Sequence, residues 1–446
     1  MSRRTDPGDG AARRHRLADE LVAGGHLRSA AWRVAIEAVP REAFLTGRVY
    51  RPVRSGPSWW EPVTLEQLGQ DCWLDLAYQD VTWVTQLDGT DTAVAPHGVP
   101  TSSSTMPGLV VQMLEDLNVR DGDRVLEIGT GTGYSTALLA HRLGGDLVTS
   151  VEVDPGVAGR AAAALRATGY APHLVVGDGL AGHADRAPYD RVIATCSVRY
   201  IPWAWLAQAA PGARIVATLS GWMNGSGLAA LTVVKDGTAH GRFLPGMVSF
   251  MSARAHAAPP LDPVLPERDG DARVARYGAD ILEDWTADFL AQLAAPNVSS
   301  VQVSHDGAQF NTLLTERATG SYAWLIGEDG GWTVIQQGPT RIWDQVEETL
   351  ATWDDAGRPA QEQLIIEITP DTQTVVLDAP GLRRSWPLPA ARGWCSAAAC
   401  ARSRAPSHTR GRKTAARCSA RRVRPVPSRT ADARRARLAR RSTRSS

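Results

Sequence analysis

Residues 124–128 run Arg-Val-Leu-Glu-Ile, residues 129–133 run Gly-Thr-Gly-Thr-Gly, and residues 134–143 place small and aliphatic residues at helical spacing. A short apolar strand that ends in a glycine turn and continues as a helix is the first half of a strand-helix-strand crossover. The alternation goes on, with strands expected over 147–153, 173–176 and 189–194 and an Ala-rich helix over 156–168. Such a chain folds as an α/β doubly wound, Rossmann-like parallel sheet covered by helices on both faces.

The glycine turn also narrows the ligand. A dinucleotide loop needs G-x-G-x-x-G, and its third glycine would fall at Tyr134. No Gly-Lys-Ser/Thr follows, so a phosphate-binding P-loop is excluded as well. What stands here is E-x-G-x-G-x-G, the loop of S-adenosyl-L-methionine (SAM)-dependent methyltransferases. Glycines let backbone approach the cofactor closely, and an acid at Glu127 suits a ligand that carries a sulfonium and an ammonium group. Glu152 lies nineteen residues beyond Gly133, close to the spacing of about 20 at which an acid receives ribose hydroxyls. Asp178, between Gly177 and Gly179, ends the third strand and is placed to receive the adenine amino group. The expected cofactor set is Glu127, Gly129, Thr130, Gly131, Gly133, Tyr134, Glu152, Asp178 and Gly179, all at strand ends that face one crevice.

Around this domain the texture changes. Residues 1–26 read as a polar lead-in, 27–256 as the SAM-binding catalytic domain with an N-terminal helical substrate segment, and 257–266 as a Pro-containing linker. Residues 267–389 read as a smaller α+β domain able to fold alone. The stretch from 390 is Arg-rich. Residues 391–446 hold sixteen Arg and one Lys against one Asp, so this stretch is +16 in a chain of net charge +1. With few aliphatics it is expected to be disordered, either a basic extension or the product of a reading-frame slip. It lacks the interleaved aromatics of a nucleic-acid binder, and no nucleic-acid partner is expected. The five Cys and the scattered His show no metal-ligand spacing, and no metal is expected. No apolar run reaches membrane-spanning length, so the expected location is the cytoplasm.

Three phrases, Val39-Pro40-Arg41-Glu42-Ala43-Phe44, Ala77-Tyr78-Gln79-Asp80, and Val125 to Tyr134 followed by Gly177-Asp178-Gly179, together resemble the protein-L-isoaspartate O-methyltransferases. The likeness covers about residues 27–220. It implies that Thr105, where the family has Ser in a Ser-x-Pro segment, contacts the substrate carboxylate, with Ser104 beside it as a second catalytic hydroxyl. Gly108 stands where the family commonly has His. The extra residues from 267 and the run Ser102 to Pro107 are similar to the homologues that accompany ATP-grasp (graspetide) or lanthipeptide maturation. That narrower resemblance implies methylation of an aspartyl side chain in a ribosomally made, cyclised precursor peptide, the ester then closing to aspartimide or opening to isoaspartate. Repair of isoaspartyl proteins and a non-catalytic SAM-binding module are the alternatives. Because a carboxylate is already ionised at neutral pH, no general base is required.

Overall fold

The computed structural model describes residues 7–389 except 54–58, 91–96, 236, 261, 263, 306–308 and 329. The Arg-rich stretch and Asp329 lie outside the described residues.

Helices Pro7–Ala23 (α1) and Ala30–Ala38 (α2) open the chain. The supposed lead-in is therefore a helix, and Leu17, Ala18 and Leu21 on it are buried in the core. Next come strands Arg48–Pro52 (β1) and Trp60–Thr64 (β2), and helices Leu65–Leu68 (α3) and Gln70–Ala77 (α4). Strands Trp83–Leu87 (β3) and Pro100–Ser104 (β4) complete a four-stranded antiparallel sheet, order β2-β1-β3-β4. Helix Pro107–Leu117 (α5), with Pro at its start, leads into the parallel part.

That part follows the expected alternation: Val125–Ile128 (β5), Tyr134–Leu143 (α6), Val148–Glu152 (β6), Pro155–Ala167 (α7), His173–Val176 (β7) and Tyr189–Val198 (β8). All four residues of β5 are buried, as befits a parallel strand covered on both faces. Helix Trp203–Gln208 (α8) then precedes the long strand Ala209–Ser220 (β9) and the strands Ser226–Val233 (β10) and Ala239–Phe243 (β11).

After Asp271–Val274 (β12) come helix Trp285–Ala294 (α9), strands Ser299–His305 (β13), Gln309–Glu316 (β14), Ser321–Glu328 (β15) and Gly331–Gln337 (β16), and helix Ile342–Asp355 (α10). Strands Ile365–Ile368 (β17), Gln373–Ala379 (β18) and Leu382–Pro387 (β19) end the described chain. β12 to β16 form a five-stranded antiparallel sheet with α9 and α10 on one side.

The expected C-terminal α+β addition is present as this five-stranded sheet with its helices, but the last strands of 267–389 leave it for the central sheet. β17 pairs with β11, so the last three strands extend the central sheet to ten, in the order β19-β18-β17-β11-β10-β9-β8-β5-β6-β7. One apolar core runs from Leu126 of β5 through Phe289, Trp343 and Ile366 to Leu388. Gln373 fastens this junction: its side-chain amide accepts from the Ile201 N–H at 2.9 Å and donates to the Ile201 carbonyl at 2.7 Å. Described residues all fall in one compact unit, and no helix among them is long and apolar enough to cross a membrane.

Candidate active site

A cavity of about 320 Å³ opens over the C-terminal ends of β5, β6, β7 and β8, a volume within the range of ligand pockets. Its floor is the glycine turn. Gly129 and Gly133 adopt φ of 91° and 92°, and a Cβ added at Gly129 would meet the Thr195 hydroxyl at 2.7 Å. Any other residue there would push the loop off the sheet.

Seven of the nine cofactor residues inferred from the sequence line this cavity: Gly129, Thr130, Gly131, Tyr134, Glu152, Asp178 and Gly179. Glu152 is held in place by the N–H groups of Gly131 at 2.9 Å and Asp154 at 3.0 Å. Each oxygen accepts one of these bonds, which leaves acceptor capacity for ligand hydroxyls. Asp178 accepts from Leu180 N–H at 2.9 Å and sits at the cavity edge. Gly179 packs on β5, where a Cβ would meet Ile128 at 2.5 Å.

The other two stand elsewhere. Glu127 is fully buried behind the loop and does not line the cavity. Its carboxylate accepts from Ser135 at 2.5 Å, Thr136 at 2.5 Å and Ser150 at 2.7 Å. Burial pushes its pKa up, and the three hydroxyls oppose that rise. Glu127 thus ties the loop and the start of α6 to β6 from beneath. Gly133 faces α7, where a Cβ would come within 3.3 Å of Ala161; it permits close packing of α6 against α7.

The opposite wall is the end of β4. Thr101, Ser102, Ser103, Ser104 and Thr105 all line the cavity. Thr105 does not cap α5, whose N-cap is Met106 with no side-chain cap bond. Ser104 is 2% exposed, and its hydroxyl has no hydrogen-bond partner among the described residues. A buried hydroxyl without a protein partner is costly, and a polar ligand in the cavity would satisfy it.

Arg41 explains why the first two sequence phrases travel together. It is completely buried and donates to the carbonyls of Ala77 at 2.9 Å, Gln79 at 2.8 Å, Val81 at 2.9 Å, Ser104 at 3.3 Å and Thr105 at 3.1 Å. Burial lowers its pKa to about 10, with Tyr134, Asp80 and Tyr78 opposing the fall. One guanidinium therefore sets the backbone of the serine segment against the loop after α4. Asp80 in that loop accepts from Gly108 N–H at 2.6 Å, and a Cβ at Gly108 would lie 2.6 Å from its carboxylate. A side chain at 108 would displace Asp80.

A third wall was not legible in the sequence. Met251 to Ala255 run alongside the end of β8: Ser197 N–H donates to Met251 O at 2.9 Å, and Ala253 N–H donates to Ser197 O at 2.8 Å. His256 anchors the end of this segment. Its Nδ1 accepts from Arg199 N–H at 3.1 Å and its carbonyl accepts from Trp222 Nε1 at 3.0 Å. Burial, reinforced by Arg199, lowers the His256 pKa to about 4, so it is neutral at physiological pH. Arg254 reaches back to Asp154 at 2.8 Å. Thr132, Thr195 and Cys196 complete the lining. Burial, with Glu152 and Asp178 nearby, pushes the Cys196 thiol up to about 12, so it stays protonated and is no nucleophile.

The donor set fits SAM. Close backbone at Gly129 and Gly131, a fixed carboxylate at Glu152 and a second at Asp178 meet a ligand that is cationic at sulfur and rich in hydroxyl and amino donors.

Comparison with known proteins agrees with this layout. Residues 75–236 match the family described as "Protein-L-isoaspartate(D-aspartate) O-methyltransferase (PCMT)". A protein-L-isoaspartate O-methyltransferase of Anaeromyxobacter dehalogenans is 48% identical over 114 residues, 25% of this chain and 54% of that protein. The chain thus spans about half the length of the first curated relatives it matches. A solved protein-L-isoaspartate O-methyltransferase structure aligns with TM-score 0.47 and 19% identity over 81% of this chain and 98% of its own. "Protein-L-isoaspartate O-methyltransferase 1" of Rhodopseudomonas palustris is 31% identical over 223 residues, half of this chain and 75% of that relative. With three quarters of such a relative matched, and the family's glycine loop, buried arginine and serine-threonine segment assembled around one cavity, the chain belongs to the protein-L-isoaspartate O-methyltransferase family.

Proposed function

We propose that the protein is a SAM-dependent carboxyl O-methyltransferase whose acceptor is the isoaspartyl carboxylate of damaged proteins and peptides, working in the cytoplasm. The observation that carries the reading is the cavity itself, whose lining brings together Glu152, the glycine turn and the hydroxyl of Ser104, which has no partner among the described residues. When bound, the cofactor supplies an electrophilic methyl group. Glu152, Asp178 and the backbone of Gly129 and Gly131 hold that ligand, while Glu127 and Gly133 keep the loop in shape. Thr105 and Ser104 donate to the acceptor carboxylate and fix its direction, so that reactants start near the attack geometry. The acceptor needs no base because it is already an anion. Met251 to Ala255 cover the cavity and limit water around it.

Incubation with a short isoaspartyl peptide and radiolabelled SAM tests the proposal. Label in the peptide is expected, and its absence at saturating cofactor would overturn the reading. Glu152→Ala is expected to weaken S-adenosylhomocysteine binding about tenfold or more, a loss of hydrogen bonds to a charged group. Thr105→Ala should leave that binding unchanged and slow transfer, and equal turnover of Thr105→Ala and wild type at saturating peptide would remove Thr105 from its role.

A second reading has one observation in its favour. The family match ends at residue 236, while the chain continues into a five-stranded sheet that the matched region lacks. Such an addition suits a specialised acceptor, an aspartyl side chain in a cyclised ribosomal peptide whose methyl ester closes to a succinimide with loss of methanol. Faster turnover of a cyclised aspartyl peptide than of the isoaspartyl peptide would select it. Tight homocysteine-product binding without transfer to either peptide would instead select a non-catalytic binding module.

A further inference from the structure

The cavity that receives an anionic acceptor is itself acidic. Glu152 and Asp178 line it, and Asp154, next in sequence to the lining residue Val153, is paired with Arg254. An acceptor carboxylate entering this space loses water and meets carboxylates of its own sign, and the positive charge of the bound donor, already paired with those carboxylates, offsets this only in part. Hydroxyls of Thr105 and Ser104 are neutral donors and do not cancel that field. Among the lining residues described, Arg254 alone is cationic.

Its setting is that of a group ready to change partners. Arg254 is 48% exposed at the side chain and is held to Asp154 through one nitrogen, Nη2, at 2.8 Å. Asp154 does not depend on it. Oδ1 accepts from Gly156 N–H at 2.8 Å and Val157 N–H at 3.0 Å as the N-cap of α7, and Oδ2 also accepts from Gln86 Nε2 at 3.3 Å. The backbone that carries Arg254 is pinned on both sides, at Ser197 through Ala253 and at Arg199 through His256. A fixed base with a half-exposed guanidinium leaves two N–H edges for a bidentate carboxylate.

We infer that Arg254 is a substrate-binding residue that pairs with the acceptor carboxylate at the cavity mouth and so selects anionic acceptors. This rests on the carboxyl methyltransferase reading above. Hydroxyls at 104 and 105 orient the carboxylate, and Arg254 supplies the charge that makes its entry favourable. Exchange from Asp154 to the substrate leaves Asp154 with three hydrogen bonds.

Full-length wild type, Arg254→Gln and Arg254→Lys are compared with an isoaspartyl peptide, measuring peptide KM, kcat and calorimetric affinity for S-adenosylhomocysteine. Arg254→Gln is expected to raise peptide KM by about tenfold or more, the loss of a charge-assisted bidentate pair. Cofactor-product affinity should stay within about twofold, and Arg254→Lys should recover part of the KM, since it keeps charge and loses the fork. Wild-type kcat/KM should also fall with added salt more steeply than that of Arg254→Gln. Unchanged peptide KM in an active Arg254→Gln overturns the inference and leaves the methyltransferase reading standing. An equal loss of product affinity also overturns it, because Arg254 then serves the cofactor's own carboxylate. No transfer by wild type to any peptide carboxylate overturns the parent reading and the inference with it.

Discussion

Arg41 carries more of the site than its distance from the chemistry suggests. Its five carbonyl acceptors come from two segments that are unrelated in sequence, the loop after α4 and the end of β4. Replacing it with an apolar side chain of similar length leaves those carbonyls without their donor in a buried place. Arg41→Met is expected to cost on the order of 3 kcal/mol and to lower the melting temperature by several degrees. Transfer should fall further than stability does, because Ser104 and Thr105 lose their register. Retained peptide KM and kcat in a destabilised Arg41→Met would show that the arginine serves the fold alone. Glu127 teaches the complementary lesson. A carboxylate in a strand whose every residue is buried gives no alternation to read, so its direction away from the cavity could not be taken from the sequence. The three hydroxyls that meet it, from Ser135, Thr136 and Ser150, lie on α6 and β6.

At the scale of elements, α6 and β7 lie over the residues expected, and β5, β6 and α7 end within a residue or two of them. Short apolar runs closed by glycine or Pro admit few other folds. Met251 to Ala255 escaped because the segment has no period of its own and exists through bonds to Ser197, more than fifty residues earlier. Ahead of α9 the chain makes a short 3-10 helix, Ala279–Glu283, and the α-helix proper starts where Asp284 caps it by accepting from Ala287 N–H at 2.9 Å. This helix also carries an acid that its burial disfavours. Asp288 is 5% exposed, and burial raises its pKa to about 7. The folded protein therefore holds this proton more tightly than the unfolded chain, whose Asp titrates near about 4. Stability from this group is complete below that lower value and is lost as pH rises through about 7. Asp288→Asn should melt higher than wild type at pH 8 and no differently at pH 3.5 or below, by calorimetry or circular dichroism. An equal gain at both pH values would mean that titration is not the cause.

For the molecule as a whole, the ten-stranded sheet is the decisive departure from what composition and linker-like prolines suggest. Texture along the chain reports local character, whereas β17 finds β11 across more than a hundred intervening residues, and no local pattern encodes that pairing. A chain stopped after residue 266 would leave β11 as an open edge and strip Ile366, Val375 and Leu377 from the core. Such a truncation is expected to be insoluble or to lose its cooperative melt, and so is residues 267–389 made alone. A soluble, cooperatively melting 1–266 fragment would restore the two-domain picture. The closure of β11 by β17 also has a temporal side. During translation the ribosome must finish the whole five-stranded sheet before the partner of β11 emerges, so the nascent chain displays an unpaired, aggregation-prone strand for that interval. Cellular yield of this protein should thus depend on chaperone shielding of that one edge more than on the intrinsic stability of the finished fold.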